Sequence, residues 1–119
     1  MAYTIETIIA EKFESIISKN ITTTRAKDFY DLYMLMNKNN ISNKNLVKAI
    51  ENTFNKRNTI FNIEEFKEIV EIIKESNALR KVFSDYQNKL EYTKQVNFDD
   101  TIDSINQIIA ILEKELVGA

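Results

Sequence analysis

Four charged side chains early in this sequence stand where charge is costly: Lys12, Arg25, Asp28 and Asp31. A lysine inside an apolar helix stripe must either extend its ammonium to water or find an acid. Such a cluster has two uses. It can close on itself as an ion pair that fixes the register of two helices, or it can wall a polar pocket in which Lys12 meets a phosphate. Either way Lys12 needs a partner, because charged residues are almost never fully buried without one.

The elements that must carry these residues are helices. The spacing of apolar residues predicts a first helix over about Ile5–Lys19, with Thr4 as its N-cap. With Ile5 set at 0° and about 100° per residue, Ile8, Ile9, Phe13, Ile16 and Ile17 fill an arc from roughly 300° through 0° to 120°. Lys12 falls at about 340°, inside that arc. A second helix is predicted over about Arg25–Asn39, capped by Thr24, with Phe29, Leu32, Tyr33, Leu35 and Met36 inward. Arg25 and Asp28 land on its apolar side, Asp31 at the edge, and Lys27 on the far, solvent side. The short loop Asn20–Thr23 makes the two helices antiparallel neighbours. Lys12 then faces Asp28 or Asp31 across the hairpin.

Four further helices follow. Ser42 or Asn43 caps a third, reaching about Asn55. Asn62-Ile63-Glu64-Glu65 resembles a capping box that opens a fourth. A break near Ser76–Asn77 precedes the fifth. The sixth spans about Asp99–Val117. Phe98, Ile102, Ile105, Ile109, Leu112 and Leu116 form a seam along it, which Ile108 and Ile111 widen into the stripe of a core helix rather than of a two-stranded coiled coil. The predicted fold is all-α: a compact bundle of about six helices, starting with an antiparallel helical hairpin, in a single domain over 1–119.

Composition narrows the chemistry. The chain has 119 residues, with no Pro and a single Gly, so its turns must be built from Asn, Ser, Thr and Asp. It has no Cys and no His, which excludes disulfides, thiol nucleophiles, imidazole bases and the usual zinc sites within the chain. A net charge of −2 argues against general nucleic-acid binding, which needs a basic surface. Lys44, Lys48, Lys56 and Arg57 form a modest basic edge that reads as a solvated face. No apolar run reaches the ~20 residues of a membrane span. With no signal peptide visible either, the expected location is cytoplasmic.

Two stretches of sequence then become recognisable. Ile5-Glu6-Thr7-Ile8-Ile9-Ala10-Glu11-Lys12, followed by Arg25-Ala26-Lys27-Asp28-Phe29-Tyr30-Asp31-Leu32-Tyr33, resembles the helical motif region of AbiEii/AbiGii-type nucleotidyltransferases. In that family an E-x-x-x-A-E-K helix precedes an R-x-K-D-x-x-D-L segment. The direct resemblance runs to about Met36; the later helices match the family's C-terminal bundle in character. It implies a toxin component of bacterial toxin–antitoxin and abortive-infection (phage-resistance) systems, similar to polymerase-β-like nucleotidyltransferases. It also implies an N-terminal domain whose Gly-Ser motif and paired aspartates hold Mg²⁺ and NTP, with the helical region contributing side chains to the same cleft.

Carried over residue by residue, Lys12 and Asp28 are the implied catalytic groups, and Lys12, Arg25 and Lys27 the implied nucleotide-binding groups. The cations would neutralise charge on a triphosphate as transfer proceeds. Asp28 would orient one of them or accept a hydrogen bond from substrate. The helix start at Thr24–Arg25 would offer free N–H groups to an anion.

This sequence departs from the family's pattern in two respects. Its sole glycine is Gly118, so it has no Gly-Ser motif, and no Asp-x-Asp pair occurs. Asp99-Asp100 are adjacent and fit the cap of the last helix. The expectation is therefore the C-terminal part of a larger nucleotidyltransferase whose N-terminal catalytic domain is missing, inactive by itself. No cofactor and no metal site is expected in this chain; Mg²⁺ and NTP belong to the full-length parent. Expected partners are the missing N-terminal nucleotidyltransferase domain, NTP and an antitoxin protein. The alternative is a stand-alone helical protein-interaction module without catalysis.

Overall fold

The computed structural model describes residues 4–22 and 25–118. Among these residues the chain forms six α-helices and no strand: α1 (Ile5–Lys19), α2 (Ala26–Lys38), α3 (Asn43–Lys56), α4 (Ile63–Lys74), α5 (Asn77–Lys89) and α6 (Phe98–Val117). Short 3-10 turns occupy Asn20–Thr22 and Glu91–Gln95.

Local polar chemistry sets the helix starts. Thr4, Ser42, Asn62 and Ser76 each accept a hydrogen bond from a backbone N–H in the first turn of the helix they precede, satisfying donors that a helix start leaves without a partner. The reciprocal capping box forms at α6 rather than at α4. Asn97 Oδ1 accepts from Asp100 N at 2.8 Å, while Asp100 Oδ2 accepts from Asn97 N at 3.1 Å. The cap of α6 is thus Asn97, not the Asp99-Asp100 pair. Arg25 occupies the N-cap of α2 with no side-chain cap hydrogen bond; the expected Thr24 cap lies outside the described residues. Two asparagines stand at turns with positive φ, Asn20 at 51° and Asn58 at 55°, a sign that Asn tolerates better than most side chains; Asn20, with ψ −130°, lies outside the left-handed helical region.

Helix α1 packs on α2 and α3, α5 packs on α2, and α6 lies against α2, α3 and α4. Lys12, midway along α1, meets Asp28 in the first turn of α2, and the two helices pack on each other across a short connection, as in an antiparallel hairpin. On α6, Phe98, Ile102, Ile105, Ile108, Ile109 and Leu112 are buried, whereas Leu116 is exposed. The seam therefore ends one turn early, and its apolar side faces the chain's own core.

Two aromatic clusters fill that core. Phe13, Phe54 and Phe66 meet with ring centroids 5.2–5.8 Å apart, joining α1, α3 and α4. Phe29, Phe83 and Phe98 join α2, α5 and α6 at 5.5 Å. Rings at these separations add attraction beyond the area they bury. The first cluster ties α1 to the end of α3 and the second anchors α2 on α5 and α6, and the charged side chains project from α1, the start of α2 and the end of α3.

Candidate functional site

Lys12 follows directly from the pattern of α1. Ile9, Phe13, Ile16 and Ile17 face the core, so the lysine stem runs along the α1–α2 seam and its ammonium emerges at the seam's edge. Asp28 and Asp31 are three residues apart on α2 and share one face. Lys12 Nζ lies 3.5 Å from Asp28 Oδ1 and 3.3 Å from Asp31 Oδ2.

Each aspartate carries a second cation. Arg25 Nε is 3.5 Å from Asp28 Oδ2, and Lys27 Nζ is 2.6 Å from Asp31 Oδ2. The hydrogen bond from Lys27 to Asp31, then the carboxylate's charge, holds the Lys27 pKa above its ordinary value. The result is a chain of alternating charge: Arg25, Asp28, Lys12, Asp31, Lys27. Its members are unequally held. Lys27 is tight on Asp31, whereas both contacts to Asp28 are at the outer limit of hydrogen bonding.

A polar hollow of about 220 Å³ opens beside this chain, and Lys12, Arg25 and Asp28 line it together with Ile8, Glu11, Ser15 and Arg57. One water needs only about 10–15 Å³, so the hollow has room for a multi-atom anion. Lys27 stands apart on the outer side of Asp31; the described residues around the hollow do not include it. A second, mostly apolar hollow of about 410 Å³ lies on the other flank of Lys12, bordered by Ile8, Tyr30, Asp31, Met34 and Leu35.

Arg57 leaves the solvated basic edge to which its sequence neighbours assign it. Its Nη1 donates to Glu14 Oε1 at 2.6 Å, and Thr59 Oγ1 donates to Glu14 Oε2 at 2.6 Å. Glu14 is buried; on the wheel of α1 it falls at about 180°, outside the apolar arc, so no anomaly marks it in the sequence. The end of α3 covers it. Glu6 is tied down in the same way: its carboxylate accepts from Ser42 N at 3.0 Å, a bond that lowers its pKa below the ordinary value. This motif glutamate joins the start of α1 to the cap of α3.

The side chains of Asp28 and Glu14 are 7% and 5% exposed, whereas those of Lys12, Arg25 and Arg57 are 21%, 64% and 42% exposed. These two acids lie beneath the three cations, while Glu11, 35% exposed, faces the same hollow. Asp28 and Asp31 are each engaged by two cations, and no group of three or more His, Cys, Asp or Glu among the described residues is arranged to hold a metal.

A family model described as nucleotidyl transferase AbiEii toxin, type IV TA system, matches residues 1–105. The chain belongs to this family. The match extends well beyond the two motifs of α1 and α2 and takes in the whole AbiEii-type bundle as far as the first half of α6. No curated protein and no solved structure matches the chain. Among the described residues of this AbiEii-family member, no helix is long and apolar enough to cross a membrane. Membership of a type IV toxin family implies an antitoxin partner.

Proposed function

We propose that this AbiEii-type bundle supplies the cationic wall of a nucleoside-triphosphate cleft in a cytoplasmic nucleotidyltransferase toxin. The opposite wall, with the Gly-Ser motif and metal-binding aspartates, would come from a nucleotidyltransferase domain packed beside it. The observation that carries this reading is the open polar hollow on which Lys12 and Arg25 meet over the buried Asp28.

In this reading Lys12 and Arg25 bind phosphoryl oxygens and offset the charge that develops during transfer. Asp28 orients both cations from below. Lys27 holds Asp31 and reaches the nucleotide only from the outer side. The apolar hollow on the other flank of Lys12 suits contact with a neighbouring domain. Mg²⁺, bound by that domain, would supply Lewis-acid polarisation of the phosphates; the bundle by itself does not transfer nucleotides. The transferred nucleotide would serve toxin–antitoxin or phage-defence purposes.

Titrating the protein with inorganic triphosphate and with each of the four NTPs, by calorimetry, tests the reading. Two charge-assisted hydrogen bonds at roughly 1.5–3 kcal/mol each approach or exceed the about −4.1 kcal/mol of a 1 mM complex, so binding near millimolar or tighter is expected. Lys12→Gln, which keeps a donor for Asp28, should weaken it about tenfold while lowering the melting temperature by only a few degrees. Absence of binding by the unaltered protein, or unfolding of Lys12→Gln, would overturn the reading in favour of a structural ion pair.

A further inference from the structure

We infer that Arg57 is a third triphosphate-binding side chain on the same hollow, an inference that rests on the cleft reading above. The residue lies beyond both recognisable motifs, 43 positions from its partner Glu14.

The case begins with how the guanidinium is held. A buried carboxylate without partners is strongly unfavourable, and Glu14 meets that demand with two bonds, from Arg57 Nη1 and Thr59 Oγ1, one on each oxygen. The turn after α3 shapes this contact: Asn58 takes a positive φ, and Thr59 N donates to Phe54 O at 2.9 Å. Glu14 therefore fixes Arg57 through one edge of its fork. The guanidinium has five N–H donors. Its other terminal nitrogen, Nη2, stands 3.9 Å from Glu11 Oε2, too far for a hydrogen bond.

The position of the side chain supplies the rest. Arg57 lines the hollow with Lys12 and Arg25, so α1, the start of α2 and the end of α3 each bring one cation to it. A planar guanidinium anchored at one edge is suited to accept a phosphoryl group at another, with little further loss of side-chain freedom. Glu11 is the counterweight. It borders the same hollow, and its carboxylate competes with an incoming anion for Arg57.

The test uses inorganic triphosphate without metal, titrated into the protein and its variants. Arg57→Gln should weaken binding about tenfold or more, the loss of one charge-assisted hydrogen bond. Glu11→Gln should tighten it several-fold, and by less in an Arg57→Gln background, a coupling that a purely structural Arg57–Glu14 tie would not produce. Lys12→Gln serves as the reference. If Lys12→Gln weakens binding while Arg57→Gln and Glu11→Gln behave as the unaltered protein, Arg57 is a structural tie and this inference falls while the cleft reading stands. If the unaltered protein does not bind triphosphate, both fall. Should Arg57→Gln fail to fold, Arg57→Lys, which keeps a donor for Glu14 but lacks the second edge of the fork, decides: weaker binding supports the inference and unchanged binding overturns it.

Discussion

The Lys12 ammonium lies 3.5 Å from one oxygen of Asp28 and 3.3 Å from one oxygen of Asp31, so a single cation from α1 bridges two carboxylates one turn apart on α2. The pair is neither sealed in the core nor free in water. A double-mutant cycle with Lys12→Met and Asp28→Asn should therefore give a coupling energy of about 1 kcal/mol in urea unfolding. A coupling indistinguishable from zero would mean that Asp31 alone holds the lysine.

Glu6 gives a pH-dependent prediction. The Ser42 backbone N–H favours its charged form and lowers the folded-state pKa below the ordinary 4.5. The stabilisation is therefore complete above the unfolded value and is lost as the pH falls through the lowered folded one. Glu6→Gln should cost about 1 kcal/mol at neutral pH, and its melting temperature should converge on that of the unaltered protein as the pH drops below 4.5. A gap that widened in acid would contradict the sign.

Asn20 offers a gain. Its backbone sits at φ 51°, ψ −130°, and its Oδ1 is buried with no hydrogen-bond partner among the described residues. Glycine adopts such a backbone freely and removes the unsatisfied oxygen. Asn20→Gly should stabilise the fold by about 1 kcal/mol and raise the melting temperature by roughly 3–5 °C. A lower melting temperature would show that the side chain holds the turn.

At the start of α6, Asn97→Ala removes the acceptor for Asp100 N. The expected cost is about 1 kcal/mol, read from the shift in the urea midpoint at unchanged slope.

Helix α1 illustrates what the sequence reveals and what it conceals. Its apolar stripe, its Thr4 cap and the misplaced Lys12 are all written within one 3.6-residue period, and the structure places each as the pattern predicts. The hairpin partner was equally legible, because a short loop restricts where α2 can lie. Glu14 and Arg57 were not. Their contact depends on the path of three helices between them, and each looks like ordinary surface charge in its own helix. At α6 the helix begins one residue before the expected Asp99 and its cap is Asn97 rather than Asp99-Asp100, for a local reason: Asp100 contributes the reciprocal bond of the box, while Asn97 is the cap itself. The wider family match over residues 1–105 likewise draws on helices whose stripes are generic one at a time.

The central position of α6 has a consequence for synthesis. Its apolar side covers surfaces of α2, α3 and α4, yet it is the last of the six to leave the ribosome. Until then the nascent polypeptide carries Lys12, Arg25 and Arg57 on helices whose core-facing residues are only partly covered. The cell thus makes all three cations of the hollow well before it makes the helix that completes the core behind them.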